Sequence, residues 1–159
     1  MWGINPPSAV KIIDTYEVSK KQFGFASNSL EFLCKILDCR VKKGDHKKFP
    51  GFLLWAECLK GNEEAWAEMK EYNIPDILSL EEVYLKMRPW MTTHPNIVID
   101  KKSETPLCTK CGSSHIQRRG WAHTNSYTYP RFQCVDCGGW LRGRKSEKRD
   151  IANMLVNEN

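Results

Sequence analysis

Two short cysteine motifs constrain the C-terminal third of this 159-residue chain more than any other feature. Cys108-Thr-Lys-Cys111-Gly and Cys134-Val-Asp-Cys137-Gly are separated by 22 residues. Each spacing lets two thiolates reach one ion from a tight turn, and the glycine that follows permits the positive φ that aims backbone N–H groups at sulfur. Four such ligands make a closed tetrahedral site, so the pattern predicts zinc bound by Cys108, Cys111, Cys134 and Cys137. Disulfides or free thiols are the alternatives.

The chain between the two cysteine pairs predicts the rest of a small module. Residues 115–121 and 127–133 are typical of two strands, and the polar residues 123–126 between them are typical of a turn. Two strands and two cysteine turns around one ion are the layout of a zinc ribbon. His115 and His123 are alternative ligands, although packing on a strand or at the surface explains them more simply. With sulfur in every ligand position no water could be activated, so the zinc is predicted to be structural.

Positive charge is concentrated in the same part of the chain. The formal net charge is +5; residues 1–100 carry 13 Lys/Arg and 14 Asp/Glu, net −1, whereas residues 101–159 carry 11 and 5, net +6. Arginine pairs with phosphate and aromatic rings stack on unpaired bases, so this mixture favours a nucleic acid as partner, single-stranded DNA above all. A solvated basic face whose aromatics form a small core is the alternative. The candidate nucleic-acid-binding residues are Arg118, Arg119, Trp121, Tyr129, Arg131, Trp140, Arg142 and Arg144.

The longer N-terminal part is predicted to be mostly helical. Its expected elements are a short buried strand over 10–15, a helix over 30–37 capped by one of residues 27–29, a helix over 52–59, and a long helical stretch from Glu63 to just before Pro89, interrupted at Pro75. A lone strand leaves its backbone groups unpaired on both sides, so it needs neighbours that this part of the chain does not obviously provide.

The polar segment 100–106 has no apolar periodicity and ends in proline, which predicts a linker. The predicted organisation is a domain over 1–99, this linker, a ribbon over 107–145, and a C-terminal helix or tail over 146–159. No apolar stretch approaches the roughly 18 residues of a membrane span, and the N-terminus does not read as a secretory leader. A cytoplasmic protein without membrane contact is therefore expected. The single cysteines Cys34, Cys39 and Cys58 are expected to be small core residues.

Several stretches of the first 96 residues carry a family resemblance. They are Pro6-Pro-Ser8, Ile13-Asp-Thr15, Gln22-Phe-Gly-Phe25, Leu54-Trp55, Cys58 to Gly61, Trp66 to Asp76, Glu82 to Trp90 and His94-Pro-Asn96. Together they resemble the C-terminal half of ribonuclease-H-like 3′ to 5′ exonucleases of the DEDD type, particularly phage and bacterial forms related to polymerase proofreading domains. The resemblance implies an α/β fold, here a partial ribonuclease-H-like domain that is mostly a helical remnant, beside the small β ribbon.

In that family four acidic residues hold two divalent ions that generate the attacking hydroxide. The third motif of the family, Tyr-x-x-x-Asp, is matched by Tyr72 and Asp76. The resemblance implies that Asp76 binds a metal and that Tyr72 orients the attacking water, and a spacing of four puts both on one helical face. The plainer interpretation is a solvated aspartate beside a packed tyrosine. Asp14 matches a family aspartate that is not a metal ligand, so a structural or substrate-edge role is expected.

The other three acids precede the Pro-Pro region in the family, and this sequence starts at Met1. A single carboxylate cannot hold two divalent ions, and Pro75 would alter the relative aim of Tyr72 and Asp76. The resemblance therefore predicts the nucleic-acid-binding C-terminal part of an exonuclease. It would be inactive alone and would bind Mg²⁺ or Mn²⁺ only if a separate N-terminal exonuclease fragment completed the site. A non-catalytic nucleic-acid-binding or regulatory protein is the alternative.

Overall fold

The computed structural model describes residues 11–41 and 48–146. Within these ranges the chain is a mixed α/β protein with four α-helices and one small antiparallel sheet of three strands. The helices and strands fall into two compact units. The helical unit is Ile12–Met87, and the ribbon unit contains Lys11 and residues 88–146 of the described chain. Of the predicted C-terminal helix or tail, residues 147–159 lie outside the described residues.

The helical unit is built on one long helix. Helices α1 (Thr15–Gln22), α2 (Leu30–Ile36) and α3 (Leu53–Leu59) each pack against α4 (Glu63–Met87). The resulting core contains the fully buried side chains of Leu33, Leu54, Ala65, Val83 and Met87. Among the described residues, no helix has the length and apolar character needed to cross a bilayer.

The predicted helices over 30–37, 52–59 and 63–88 are confirmed. Local hydrogen bonds explain the two ends of α2. Ser29 is the residue that caps α2, because its hydroxyl accepts the N–H of Phe32 at 3.3 Å. At the other end of α2, the ammonium group of Lys86 donates to the carbonyls of Leu37 and Asp38 at 2.6 and 2.7 Å. These bonds satisfy carbonyl groups that have no partner within the helix.

The predicted strand over 10–15 is wrong for the described part of that segment. Residues 11–14 have no regular structure and Thr15 begins α1. The cause is Asp14, whose carboxylate accepts the N–H groups of Tyr16 and Glu17 and so caps a helix. The β-branched residues around it cannot form a sheet alone, because no strand lies within the described residues of this unit. Of the two roles expected for Asp14, the structural one is therefore observed, as the cap of α1.

Pro75 does not interrupt the long helix. Helix α4 runs without a break from Glu63 to Met87 with Pro75 inside it. Proline at this position removes the hydrogen bond to the carbonyl of Glu71, which is an exposed residue, so water can take the place of the missing N–H. The remaining bonds of a 25-residue helix and its packing on three other helices outweigh this local loss.

The ribbon unit contains a sheet in the order β1-β2-β3, with β1 (Ile116–His123), β2 (Thr128–Cys134) and β3 (Trp140–Arg142). The two predicted strands are confirmed, but β1 extends through His123, which was predicted as the first residue of the turn. β1 carries a register shift between Arg118 and Trp121, where Gly120 has a φ of +74°, as in a bulge. The third strand was not predicted, since three residues after Gly138-Gly139 are too few to show a period.

The boundary between the units falls earlier in the chain than the predicted linker. Residues 101–106 have neither helix nor strand, yet they lie inside the ribbon unit. The preceding segment, a 3₁₀ turn at Arg88–Trp90 followed by a loop, packs on the first cysteine turn. Met91 is only 1% exposed, and the N–H of Ile97 donates to the carbonyl of Thr109 at 3.0 Å. These long-range contacts, which no local pattern reveals, assign residues 88–100 to the ribbon.

Candidate metal centre and nucleic-acid face

The four predicted cysteine ligands converge on one point. The sulfur atoms of Cys108 and Cys137 are 3.7 Å apart, those of Cys111 and Cys134 are 3.6 Å apart, and all four lie within 4.8 Å of one another. A tetrahedral ion with metal–sulfur bonds of about 2.3 Å requires sulfur–sulfur separations of about 3.8 Å. Among the described residues this is the only group of three or more Cys, His, Asp or Glu side chains able to hold a metal ion.

The two cysteine turns place their sulfur atoms by the same backbone geometry. Gly112 has a φ of +82° and Gly138 a φ of +74°, the left-handed values that favour glycine. Their N–H groups donate back to the carbonyls of Cys108 and Cys134 at 2.8 and 2.9 Å, which closes each turn. After the second turn the N–H of Gly139 points at the Cys137 sulfur at 3.4 Å. Each Cys-x-x-Cys-Gly turn therefore positions two of the four sulfur atoms through its own local backbone geometry.

The electrostatics of the cluster fit a bound cation. Burial raises the pKa of the Cys111 thiol to about 12 and raises the pKa of Cys137 as well. At Cys134 burial also raises the pKa, but the N–H of Cys137 and the side chain of Cys111 outweigh it and bring the value to about 7. Buried sulfur atoms this close cannot all be thiolates unless an ion opposes their charge. Four sulfur atoms close enough for tetrahedral coordination can hold one metal ion such as zinc.

Neither predicted alternative ligand belongs to the cluster. The Nδ1 atom of His115 lies 3.0 Å from a carboxylate oxygen of Asp136, and this hydrogen bond raises the pKa of the imidazole. His123 has its Nδ1 atom 3.2 Å from the Thr128 hydroxyl. Asp136 also accepts from the Ser113 hydroxyl, so Asp136 ties the second cysteine turn to the residues that follow the first.

The strand register places six of the eight candidate nucleic-acid-binding residues on two faces of the sheet. Residues directly opposite each other in an antiparallel pair project on the same side, and neighbours along a strand alternate. Arg131 lies opposite Arg142, while Arg118 lies opposite Phe132 and Trp121 opposite Pro130. One side, termed the arginine face, carries Tyr129, Arg131, Trp140 and Arg142, and the other carries Arg118 and Trp121. Arg119 lies in the bulge and donates to Gln117, and Arg144 follows β3 in an exposed loop.

On the arginine face each guanidinium is held by an aromatic ring. Arg131 lies over the ring of Trp140 at 3.9 Å and Arg142 lies over that of Tyr129 at 4.4 Å. These are diagonal neighbours across β2 and β3, at a distance that long side chains reach. In the described part of the chain neither guanidinium forms an ion pair with a carboxylate. Two arginines therefore occupy directly opposite positions, and each guanidinium leans along a diagonal onto its own ring. Like charges at opposite positions are unfavourable in a sheet unless an anion shares them.

The candidate catalytic pair lies in the helical unit, on α4. Tyr72 packs edge-on against Trp55 with ring centroids 6.3 Å apart. One turn later, Asp76 has a carboxylate oxygen, Oδ1, that is buried and lacks a hydrogen-bond partner among the described residues. That oxygen belongs to no cluster of three metal-ligating side chains in the described chain. The residues present around Asp76 therefore do not make a two-metal centre.

Two residues of the ribbon unit that line the arginine face were not among the predicted site residues. Lys110, inside the first cysteine turn, is almost fully buried and donates to the carbonyl of Pro89. Trp90, which follows Pro89, was assigned by sequence to the helical domain. The only signal for Lys110 in the sequence is its position between Cys108 and Cys111. That position does not identify its hydrogen-bond partner, the carbonyl of Pro89, which lies 21 residues earlier in the chain.

No protein-family model, no curated protein and no solved structure matches this chain. The exonuclease resemblance therefore remains a prediction.

Proposed function

We propose that this chain binds single-stranded nucleic acid through the arginine face of a ribbon held together by structural zinc. The observation that carries the proposal is the placement of Arg131 and Arg142 at opposite positions, where neither forms an ion pair with a carboxylate of the described residues. A phosphate between two guanidinium groups turns their repulsion into shared attraction, and the planar fork of arginine matches phosphate oxygens.

The aromatic partners support the same class of ligand. Stacking on Trp140 and Tyr129 restrains the arginine side chains, so less conformational entropy is lost when they bind an anion. Sheets that present aromatic and basic side chains together suit single strands, because unpaired bases have open faces and duplex bases do not.

The test is equilibrium binding of a fluorescein-labelled oligothymidylate of about 12 nucleotides, a length within the range of known single-strand site sizes. The double variant R131Q/R142Q is expected to bind at least about tenfold more weakly, since charge-assisted bonds are worth 1.5–3 kcal/mol each. Its dependence on salt should also flatten, by roughly 0.7 in the logarithmic slope per lost phosphate contact.

The matched control is K101Q/K102Q, which removes the same charge from exposed positions of the same unit. The control should bind much as the wild type does. Equal losses in the two double variants would mean that only overall charge attracts the oligonucleotide, and the proposal would then be wrong.

The identity of the ion is part of the proposal. Four sulfur donors without a histidine or carboxylate select zinc or iron, and structural zinc is the redox-inert choice. Metal analysis of the purified protein should find about one zinc ion per chain. The same analysis of the C111S variant should find much less zinc. An iron-containing, coloured protein would contradict the assignment.

A second candidate function is the C-terminal part of a 3′ to 5′ exonuclease. The observation in its favour is the buried oxygen of Asp76, which has no hydrogen-bond partner in the described part of the chain and lies one turn from Tyr72 on α4. A two-metal centre there would need carboxylates from outside the described residues. The chain alone is expected to be inactive because the resemblance places the other three acids before the Pro-Pro region. The assay is degradation of single-stranded DNA with Mg²⁺ or Mn²⁺; robust activity that Asp76→Asn abolishes would overturn the expected inactivity and establish the enzyme.

A further inference from the structure

The ribbon unit contains a cavity that was not predicted from the sequence. It has a volume of about 550 Å³ and opens on the arginine face. Its walls come from the sheet on one side and from the segment around the 3₁₀ turn on the other. The residues that matter for its chemistry are Trp90, His94, Lys110, Arg131, Trp140 and Arg142.

Charge in the cavity has one sign. Lys110, Arg131 and Arg142 all line it, and no described residue that lines it is acidic. Burial lowers the pKa of His94, a hydrogen bond with the Pro95 carbonyl opposes this shift, and the charges of Arg88, Lys110 and Lys11 add to the lowering. A volume in the range of small-ligand sites, about 300–1,000 Å³, with cations converging from two walls is suited to an anion that carries a larger body.

One aromatic surface of the cavity is open. Arg131 already covers a face of Trp140, whereas Trp90 is 64% exposed. Trp90 is nevertheless held in place, because the carbonyl of Pro89 accepts from Lys110 and the next residue, Met91, is buried. An exposed indole on a fixed backbone, in a cavity that Arg131 and Arg142 also line, is a stacking surface for a base.

We infer that this cavity seats one unstacked nucleotide, with its phosphate on Arg131 and Arg142 and its base on Trp90. The inference rests on the proposed nucleic-acid binding and names the part of the ligand that it recognises. Lys110 is a positioning residue in this site, since it holds the Trp90 backbone on the ribbon. A base in a duplex cannot reach the cavity without unpairing, so single strands are bound in preference to duplex.

The experiment compares two ligands of equal charge. One is the labelled oligothymidylate of about 12 nucleotides, and the other is a chain of the same length whose central nucleotides are abasic. Wild-type protein should bind the oligothymidylate about fivefold or more tightly, which corresponds to one stacked base. Trp90→Ala should lose this preference while binding the abasic chain as the wild type does. Trp90→Phe, which keeps an aromatic ring, should retain part of it.

The matched control is Trp66→Ala, which removes an indole of similar exposure, 49%, from the helical unit. This variant should keep the full preference. Zinc content measured on each variant shows that the ribbon has folded. Wild-type protein that binds the abasic chain as tightly as the oligothymidylate would overturn the inference without any variant.

The two proposals fail in distinguishable ways. If R131Q/R142Q weakens binding but Trp90→Ala leaves the base preference unchanged, the arginine face binds phosphate and the nucleotide seat is wrong. If R131Q/R142Q binds both ligands as the wild type does, the proposed function is wrong and the nucleotide seat fails with it. If both variants behave as expected, the cavity is the site of base recognition.

Discussion

The two units of this chain bury cysteine for opposite reasons. In the helical unit Cys34, Cys39 and Cys58 are buried as small apolar residues of the core, as expected. In the ribbon unit Cys108 and Cys134 are fully buried against other sulfur atoms. The same residue type is thus a packing element in one unit and a ligand in the other. What distinguishes the two groups is their neighbours, which are apolar side chains in one unit and other sulfur atoms in the other. The Cys-x-x-Cys-Gly spacing predicts this difference from the sequence.

The two units also differ in what stabilises them. The fully buried large side chains of the helical unit are apolar residues such as Leu33, Leu54 and Met87. The ribbon has Met91 and its cysteines, with few other buried residues. A small sheet with so little apolar core is expected to depend on a metal held by its four cysteines, whereas four packed helices are not. The predictions below test this contrast, from the largest effect to the smallest.

Removal of the metal should unfold the ribbon and leave the helical unit folded. Structural zinc contributes an apparent free energy of about 10–16 kcal/mol in small domains, more than this sheet can replace. Amide hydrogen exchange after chelation, or in C111S, should lose protection across β1, β2 and β3 and keep it in α4. Cys58→Ser, a matched change in the helical core, should leave zinc content unchanged. Loss of α4 protection on chelation would contradict the independence of the two units.

Leu54→Ala should destabilise the helical unit by about 2–5 kcal/mol, because it opens a cavity in a fully buried cluster. The measurement is denaturant unfolding followed by helical circular dichroism. Leu59→Ala removes the same atoms from the same helix at an 86% exposed position and should change stability by less than about 0.5 kcal/mol. A shift in zinc affinity caused by Leu54→Ala would show that the units are coupled.

Lys110→Met should loosen the segment before the ribbon without releasing the metal. It leaves the Pro89 carbonyl without its charged donor, a loss of about 1–3 kcal/mol. The expected result is faster exchange of the Met91 and Ile97 amides at unchanged zinc content. Lys102→Met, at an exposed position, is the control and should change neither. Unchanged exchange in Lys110→Met would mean that the hydrogen bond does not hold this segment.

Asp14→Ala should cost the helical unit about 1 kcal/mol through loss of the α1 cap. Asp14→Asn should cost little, since asparagine caps nearly as well. Thermal unfolding of the helical signal measures both. If the two variants lost equal stability, the carboxylate would act through its charge and not as a cap.

Much of this structure could be predicted because the signals are local. Four ligands at fixed spacing identified the metal centre, Ser29 lay among the predicted caps, and the apolar periods of α2 to α4 located the helices. Of the two failures, one had a local cause and the other a tertiary cause. β-branched residues beside Asp14 indicated a strand, but the cap favoured a helix. Pro75 predicted an interruption, yet the packing of a long helix on its neighbours overrode the missing hydrogen bond.

The remaining features depend on contacts between residues far apart in the chain. The sequence by itself determined that four cysteines share a site and that arginines alternate with aromatics near it, because spacing and composition are properties of the chain. Only the tertiary structure decided that Arg131 faces Arg142 while Arg118 projects on the other side, since a shift of one residue in strand register exchanges the faces. It also decided that Trp90 belongs to the ribbon, because Lys110 binds the carbonyl beside it.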